Sequence, residues 1–262
     1  MEKINVYNLD GKKKGFIDKP KIFDVRARFD LIQTANSISQ SKNKQIQGRN
    51  KRAGLRNTAE SWGTGHGMSR APRIKGSGFV TARNVGRVPF ALGGRRAHPT
   101  KTEKKIKKKI NKRINKLSII SAISASGDES WVEKGGFIIK NIPEIPLVVD
   151  DKIQTIKKTS NIYSILCNLG LQEDLIKTKN YTKIRAGKGK SRSRKYKRKK
   201  GILIVIKDDF GIIKASRNIP GTDVIKVENL SINNLAPSGS SGRLIIWTQS
   251  AINELHNYEV VV

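Results

Sequence analysis

The sequence PLVVDD, residues 146–151, decides the fold class. The residues before its acidic pair are apolar without alternation, which is typical of a strand covered on both faces of a parallel sheet. Asp150 and Asp151 end this strand and stand at the start of a helical pattern that runs from Lys152 to Leu169. A buried strand followed directly by a helix predicts an α/β unit.

The same alternation of strands and helices recurs on both sides of this stretch. Further strands are predicted at residues 4–7, 202–206, 223–227 and 243–247. Further helices are predicted at residues 29–39, 102–126 with Thr102 as N-cap, and 172–179, with short pieces after Ser231 and Thr248. We therefore predict an α/β fold: a three-layer Rossmann-like domain with a mostly parallel sheet, plus a long extended internal loop and a second basic loop.

Positive charge is concentrated in two internal segments. The chain has 53 Lys and Arg against 21 Asp and Glu, a net charge of +32. Residues 42–113 contain 21 basic and two acidic residues, and residues 183–200 contain 11 basic residues and no acid. The remaining 172 residues are nearly neutral, with 21 basic and 19 acidic residues. Two basic excursions therefore interrupt one ordinary domain, predicted to span residues 1–262.

The longer basic segment lacks the apolar pattern of a self-made core. Its large apolar residues, such as Leu55, Trp62 and Phe79, are isolated, and Gly, Arg and Lys recur every few positions. Patterned structure flanks both segments, which favours binding over a solvated tail. Gly permits close approach to phosphate, Arg binds it bidentately, and aromatic rings stack on bases, so folded RNA is the expected partner. A fully extended path of some 25 residues each way would reach at most about 80 Å.

Other classes of partner and site fit the sequence less well. No apolar run approaches the roughly 18 residues of a spanning helix, and the N-terminus has no apolar signal region, so we expect a soluble, intracellular protein without membrane contact. The single cysteine, Cys167, excludes an internal disulfide, and we expect it to be a buried small apolar residue. The three histidines lack zinc-ligand spacing, and we expect no metal or cofactor.

Three short motifs suggest enzymes but fail on context. Gly189 to Ser191 (GKS) matches the end of a phosphate-binding loop, but Ile184 stands where the first glycine is required. Residues 63–67 (GTGHG) resemble a dinucleotide fingerprint without a preceding strand. Asp150 and Asp151 could serve a metal-dependent RNA-processing enzyme, and this is the alternative function, although capping of the following helix is the simpler explanation.

Several longer strings are specific enough to indicate a family. They are AGLRNTAESWGTGHGMSRAPRIKGSG (53–78), GGRRAHPTKTEKK (93–105), PLVVDD (146–151), KIRAGKGKSRSRKYKRKK (183–200), RNIPGTDV (217–224) and LAPSGSSGRLIIWTQSAI (235–252). In this order they resemble the large-subunit ribosomal protein four family, in its archaeal and eukaryotic branch. The chain's end at Val262 favours an archaeal source over a reduced eukaryote.

The resemblance implies a non-enzymatic structural protein of the large ribosomal subunit. It implies an α/β domain that binds large-subunit ribosomal RNA early in assembly, and a loop at residues 48–98 that penetrates the RNA and lines the nascent-polypeptide exit tunnel. Residues 183–200 would form a second RNA-binding segment. The implied partners are ribosomal RNA, neighbouring large-subunit proteins and the nascent polypeptide, in the cytoplasm and without a homo-oligomer. A regulator that binds messenger RNA through the same surface is a third possibility.

The matching positions give a set of candidate site residues. Those expected to bind ribosomal RNA are Arg49, Lys51, Arg52, Arg56, Trp62, Arg70, Arg73, Lys75, Arg83, Arg87, Arg95, Arg96, His98, Lys101, Arg185, Lys188, Lys190, Arg192, Arg194, Lys195, Lys197 and Arg198. Those expected to line the tunnel are Arg73, Ile74, Lys75, Gly76, Ser77, Gly78, Phe79 and Arg83. No catalytic or metal-ligating residue is expected.

Overall fold

The structure, a computed structural model, describes residues 2–256. The chain divides into two compact units: one is formed by the residues before Lys42 and after Lys107, and the other by Lys42–Lys107. The first unit contains the regular secondary structure. The second consists of turns and isolated bridges.

The first unit is built from eight strands and nine helices within the described residues. The strands are β1 (Lys3–Tyr7), β2 (Lys13–Asp18), β3 (Leu147–Val149), β4 (Lys183–Ile184), β5 (Tyr196–Lys197), β6 (Leu203–Ile206), β7 (Asp223–Lys226) and β8 (Ile245–Thr248). The helices are α1 (Phe29–Lys42), α2 (Lys112–Ser126), α3 (Glu129–Lys134), α4 (Thr159–Asn168), α5 (Gln172–Asn180), α6 (Lys188–Ser191), α7 (Ile212–Ser216), α8 (Ile232–Leu235) and α9 (Gln249–Leu255).

Six strands form one sheet in the order β2-β1-β3-β8-β6-β7. All neighbours are parallel except β1 and β2, which form an antiparallel hairpin. This confirms an α/β fold with a mostly parallel sheet. The parallel strands follow the order β1-β3-β8-β6-β7, which differs from the 3-2-1-4-5-6 order of the dinucleotide-binding Rossmann fold.

Apolar residues on the two faces of the sheet form two separate cores. In β3, Val148 belongs to one core, whereas Leu147 and Val149 belong to the other, as the two-residue period of a strand requires. Helices α1, α2 and α9 cover the first face, and α4, α5 and α7 cover the second. The unit therefore has three layers, and PLVV is buried on both sides as its pattern predicted.

One helix starts later than predicted. The helix expected from Thr102 begins at Lys112, where the Asn111 side chain caps it by accepting a hydrogen bond from the Arg113 amide at 3.0 Å. Five lysines stand between Lys104 and Lys109, and their mutual repulsion at helical spacing disfavours the predicted first turns. The apolar stripe at Ile106 and Ile110 was therefore a misleading signal.

The helix expected from Lys152 also starts late. Asp151–Thr155 form a 3₁₀ turn, and α4 begins only at Thr159. Cys167 is half-buried rather than buried, and its side chain packs at the margin of the second core. Within residues 2–256, no helix is long and apolar enough to cross a membrane.

Candidate nucleic-acid interface

The segment Lys42–Lys107 is held by hydrogen bonds rather than by a core. Among residues 42–107, only Ala59 and Gly86 are buried. Glu60 and Arg73 pair through two backbone hydrogen bonds of 3.0 Å, and Arg73 also forms a bridge with Val85. Three stretches of the segment thereby lie side by side, and the chain folds back on itself. The segment buries little apolar surface, and most of its basic side chains lie on the outside.

Arg73 and Arg87 brace this arrangement from within. The Arg73 guanidinium donates to the Arg83 carbonyl at 3.0 Å. The Arg87 guanidinium donates to the Asn57 side-chain oxygen at 3.1 Å and to the Asn57 carbonyl at 2.5 Å. Both arginines are half-buried, so part of their hydrogen-bonding capacity fixes the shape of the segment. Sequence reasoning missed Asn57, because nothing near it in the sequence indicates a partner 30 residues away.

A glycine permits two backbone stretches of the segment to approach each other most closely. Gly54 has φ +83°, and a Cβ there would lie 2.5 Å from the Arg95 amide nitrogen. Any other residue would push the two backbones apart. At Gly76 the requirement is the backbone conformation, φ +111°, since the nearest atom to an added Cβ, at 2.6 Å, belongs to the side chain of Phe79. Gly76 lies among the tunnel-lining candidates.

The predicted RNA-binding residues are nearly all exposed. The four half-buried members of the set are Trp62, Arg73, Arg87 and Arg185. Lys75 is exposed but pairs with Glu60 at 2.5 Å. The hydrogen bond from Lys75, followed by its charge, lowers the pKa of Glu60 below its ordinary value. Lys51 likewise pairs with Glu103, at 3.4 Å. The remaining exposed basic residues of the set offer ammonium and guanidinium groups to the surface.

The tunnel-lining candidates form a turn at the surface of the segment. Gly76, Ser77, Gly78 and Phe79 are exposed, whereas Arg73 and Ile74 are half-buried beneath them. The Ile74 amide donates to the Asn84 carbonyl at 2.9 Å, and the Arg83 amide donates to the Ile74 carbonyl at 3.1 Å. The structure thus brings the two ends of the candidate set, 73–74 and 83, together at the base of the turn.

The second basic segment is a short ribbon. Strands β4 and β5 pair Lys183 with Lys197 and Ile184 with Tyr196. Arg185 donates to the carbonyls of Arg194 at 3.1 Å and Tyr196 at 3.4 Å, which closes the ribbon. Its remaining predicted RNA-binding side chains are exposed.

Two exposed tyrosines accompany this ribbon. The Lys195 ammonium lies 5.5 Å from the Tyr196 ring centre, and the Lys183 ammonium lies 5.1 Å from that of Tyr181. A cation beside an open aromatic face suits a stacked base and its phosphate. These tyrosines were absent from the predicted set, although an aromatic residue between lysines (KYK) is a signal that could have found Tyr196.

The acidic pair after β3 is engaged in structural contacts. Asp150 is buried and accepts a hydrogen bond from Lys14 at 2.7 Å. Asp151 accepts from the Ser250 amide at 2.9 Å, the Ser250 hydroxyl at 2.7 Å and the Gln154 amide at 3.1 Å. Asp151 therefore caps the N-terminus of α9. The prediction that the acidic pair caps the helix directly after it is wrong, because neither the 3₁₀ turn there nor α4 has a side-chain cap hydrogen bond. In the described part of the chain, no three His, Cys, Asp or Glu side chains group as metal ligands.

The glycine motifs likewise lack the geometry of nucleotide sites. Gly189 to Ser191 lie within the four-residue helix α6. Residues 64–67 lie in bends, and no strand precedes the motif at residues 63–67. Trp62 packs edge-on against His66, with ring centres 5.6 Å apart.

The sequence matches known proteins along nearly its whole length. Residues 18–258 match the family model described as the ribosomal protein L4/L1 family. A protein of Methanosphaera stadtmanae named large ribosomal subunit protein uL4 is 42% identical over 255 residues, covering 97% of this chain and 96% of the relative. The uL4 protein of Methanocaldococcus jannaschii is 41% identical over 250 residues, covering 95% and 96%. That of Methanococcus aeolicus is 39% identical over 255 residues, covering 97% and 98%.

Proposed function

The chain belongs to the ribosomal protein L4/L1 family, and from this premise we propose that it binds large-subunit ribosomal RNA early in assembly. It is a structural, non-enzymatic constituent of the large ribosomal subunit of archaeal type. The proposed partners are ribosomal RNA, neighbouring subunit proteins and the nascent polypeptide, and the proposed location is the cytoplasm.

One observation carries the proposal: nearly all the excess positive charge lies on two internal segments whose backbones are fixed by their own hydrogen bonds. The residues 42–113 and 183–200 hold 32 basic residues against two acids. Internal braces such as Arg87 to Asn57 and Arg185 to Arg194 set the shape, while most other cations are exposed. Exposed lysines and arginines on a shaped backbone neutralise phosphates of converging RNA helices and allow those helices to pack.

A salt titration tests this function. The full-length protein should bind a transcript of large-subunit ribosomal RNA with an affinity that falls steeply as salt rises, because each neutralised phosphate releases counterions. Deletion of residues 48–98 should flatten the slope of log affinity against log salt. Equal slopes for the two proteins would contradict the claim that the loop engages phosphate.

We further propose that the turn from Arg73 to Arg83 lines the exit tunnel. The exposed positions Gly76 to Phe79 would face the passing polypeptide, and the half-buried Arg73 and Ile74 would support them. The single cysteine makes the test direct: in a Cys167→Ser background, Ser77→Cys should crosslink to a stalled nascent chain inside ribosomes. The same substitution at exposed Ser37 in α1 is the control, and equal crosslinking at both positions would contradict the assignment.

A further inference from the structure

A basic cavity lies where the second basic segment ends, between the end of β5 and the loop that precedes β8. Its volume is about 410 Å³. Lys197, Arg198, Lys199 and Lys200 line one side, and Ser238, Ser240 and Ser241 line the other. Its lining includes no acidic residue. Converging cations and hydroxyls without a carboxylate are the chemistry that recognises a phosphate.

The serine side of the cavity is a rigid wall. Gly242 has φ +88°, and a Cβ there would lie 1.9 Å from the Trp131 carbonyl at α3. A Cβ at Gly135, just after α3, would lie 2.3 Å from the Gly242 carbonyl. The next residue, Arg243, is buried and donates to the carbonyls of Gly201 at 2.8 Å and Asn234 at 2.6 Å. The loop is thus fixed at its end before any ligand binds.

One serine hydroxyl in this wall makes no hydrogen bond within the described residues. Ser241 is 4% exposed, and its Oγ finds no hydrogen-bond partner among residues 2–256. A buried hydroxyl without a partner destabilises a fold, so it needs an explanation. Because Ser241 lines the cavity, a ligand oxygen there would satisfy it.

The cationic side contains charge that the protein neutralises only in part, since Asp174 attracts Lys199 less strongly than Lys177 repels it. The Lys200 ammonium and the Arg243 guanidinium both pair with Asp223, at 2.9 and 2.6 Å. By contrast, the ammonium groups of Lys199 and Lys177 converge on the Gly136 carbonyl, at 3.0 and 2.8 Å. Burial, and then repulsion from Lys177, lowers the pKa of Lys199. An anion in the cavity would offset the burial and the repulsion that lower the pKa of Lys199.

We propose that this cavity binds a phosphodiester of the ribosomal RNA backbone, with Arg198 and Lys199 supplying charge and the hydroxyls of Ser240 and Ser241 donating hydrogen bonds. The inference rests on the proposed ribosomal RNA binding and extends the second basic segment to the serine wall on the loop before β8. RNA is the source that fits best, because Arg198 continues the exposed cationic row of β5 directly into the cavity.

Ser241→Ala separates binding from folding. Because the Oγ is unpaired in the free protein, its removal should leave the melting temperature unchanged or raise it. The affinity for the large-subunit transcript should nevertheless fall about tenfold, as expected for one lost hydrogen bond to a charged acceptor. Lys199→Gln should weaken binding similarly and reduce the salt slope by nearly one unit. Ser37→Ala and Lys214→Gln, at exposed positions of α1 and α7, are the matched controls.

Each outcome decides the inference. If the Ser241 and Lys199 variants bind the transcript as their controls do, while the unchanged protein binds it with a steep salt slope, the cavity assignment is wrong and the proposed function stands. If Ser241→Ala weakens binding of inorganic phosphate but not of the transcript, the site takes free phosphate and the RNA assignment is wrong. If the unchanged protein does not bind the transcript, the proposed function and this inference both fail.

Discussion

At the scale of single residues, the carboxylates at the end of β3 stabilise neighbouring elements. Asp151 accepts three hydrogen bonds, from Gln154 and from both the amide and hydroxyl of Ser250. Through Ser250 it links the end of one strand to the helix that follows β8. This geometry explains why an acidic pair at the carboxyl edge of a parallel sheet occurs in a protein without catalysis.

Removal of the Asp151 carboxylate should therefore cost stability. We expect Asp151→Ala to lower the free energy of unfolding by about 2 kcal/mol, since the α9 cap and the half-buried charge-assisted hydrogen bonds from Ser250 and Gln154 are all lost. Urea unfolding followed by circular dichroism measures the change. Glu228→Ala, at an exposed position, should change the same free energy by less than about 0.5 kcal/mol. An equal effect of both substitutions would contradict the capping role.

Two other carboxylates should affect stability with opposite signs. Burial raises the pKa of Asp223, but the hydrogen bonds from Lys200 and Arg243 outweigh it and hold the pKa below its ordinary value. Burial raises the pKa of Asp174, and the hydrogen bond from the Ile138 amide only partly offsets this effect. Asp223 thus stabilises the fold above its unfolded pKa of about 3.9, and that contribution is lost as pH falls through its folded value. Ionised Asp174 destabilises the fold as pH rises above the same unfolded value.

At pH 7 we accordingly expect Asp223→Asn to destabilise the protein and Asp174→Asn to stabilise it. Asparagine at position 174 still accepts the hydrogen bond from the Ile138 amide, so the difference reports the charge. Both differences should shrink as pH falls towards 2, where the two aspartates of the unchanged protein are protonated in the unfolded state. Denaturant titrations at pH 7 and pH 2 measure the effect, and the same sign for both variants at pH 7 would contradict it.

At the scale of elements, the segment Lys42–Lys107 depends on individual braces because it has no core. Arg87 has φ +62° and holds Asn57 through two hydrogen bonds. A lysine keeps the charge but cannot reproduce the planar fork of a guanidinium. Substitution of Arg87 by lysine therefore separates the effect of its hydrogen bonds on the shape of the segment from the effect of its charge.

We expect Arg87→Lys to loosen the segment while leaving the salt slope of RNA binding unchanged. Loss of one charged brace should raise the rate of limited proteolysis within residues 48–98 about tenfold, through more frequent local opening. Binding of the ribosomal RNA transcript should protect both proteins. Arg70→Lys, at an exposed arginine, serves as the control. Equal rates of proteolysis for the Arg87→Lys and unchanged proteins would contradict the role of Arg87 as a brace.

Strands whose residues are apolar on both faces were predictable from the sequence. Strands β3, β6 and β8 are apolar, apart from Thr248 at the end of β8, and are buried on both faces, so their pattern has one interpretation. Strand β2 was missed because it lies at the sheet edge with every residue exposed except the half-buried Ile17, and its pairing is set by the turn at Gly11. An exposed edge strand carries no hydrophobic alternation.

The candidate interface was predictable in charge but not in shape. Counting charges located both basic segments, because phosphate binding requires an excess of cations that sequence displays directly. The brace between Arg87 and Asn57 and the unpaired hydroxyl of Ser241 depend on residues distant in sequence. Those contacts depend on the fold of the backbone, and the amino-acid composition does not predict that fold.

At the scale of the whole molecule, one part of the chain stabilises the fold and another part carries the proposed RNA binding. Both apolar cores lie in the unit outside Lys42–Lys107, and the shorter ribbon of β4 and β5 is exposed. Buried apolar area supplies most of the stability, whereas exposed cations repel one another and contribute none. The stability of the molecule should therefore be nearly independent of its longer basic segment, Lys42–Lys107.

Replacement of residues 48–98 by a short Gly-Ser linker tests this separation. We expect the shortened protein to unfold in one cooperative transition within about 4 °C of the full-length protein, since a change of roughly 1 kcal/mol or less corresponds to a shift of that size. Its stability in low salt should increase slightly, because 11 lysines and arginines are removed with a single acid, Glu60. Calorimetry at two salt concentrations measures both effects. A shift well beyond this range would mean that the segment contributes to the fold of the α/β unit as well as to binding RNA.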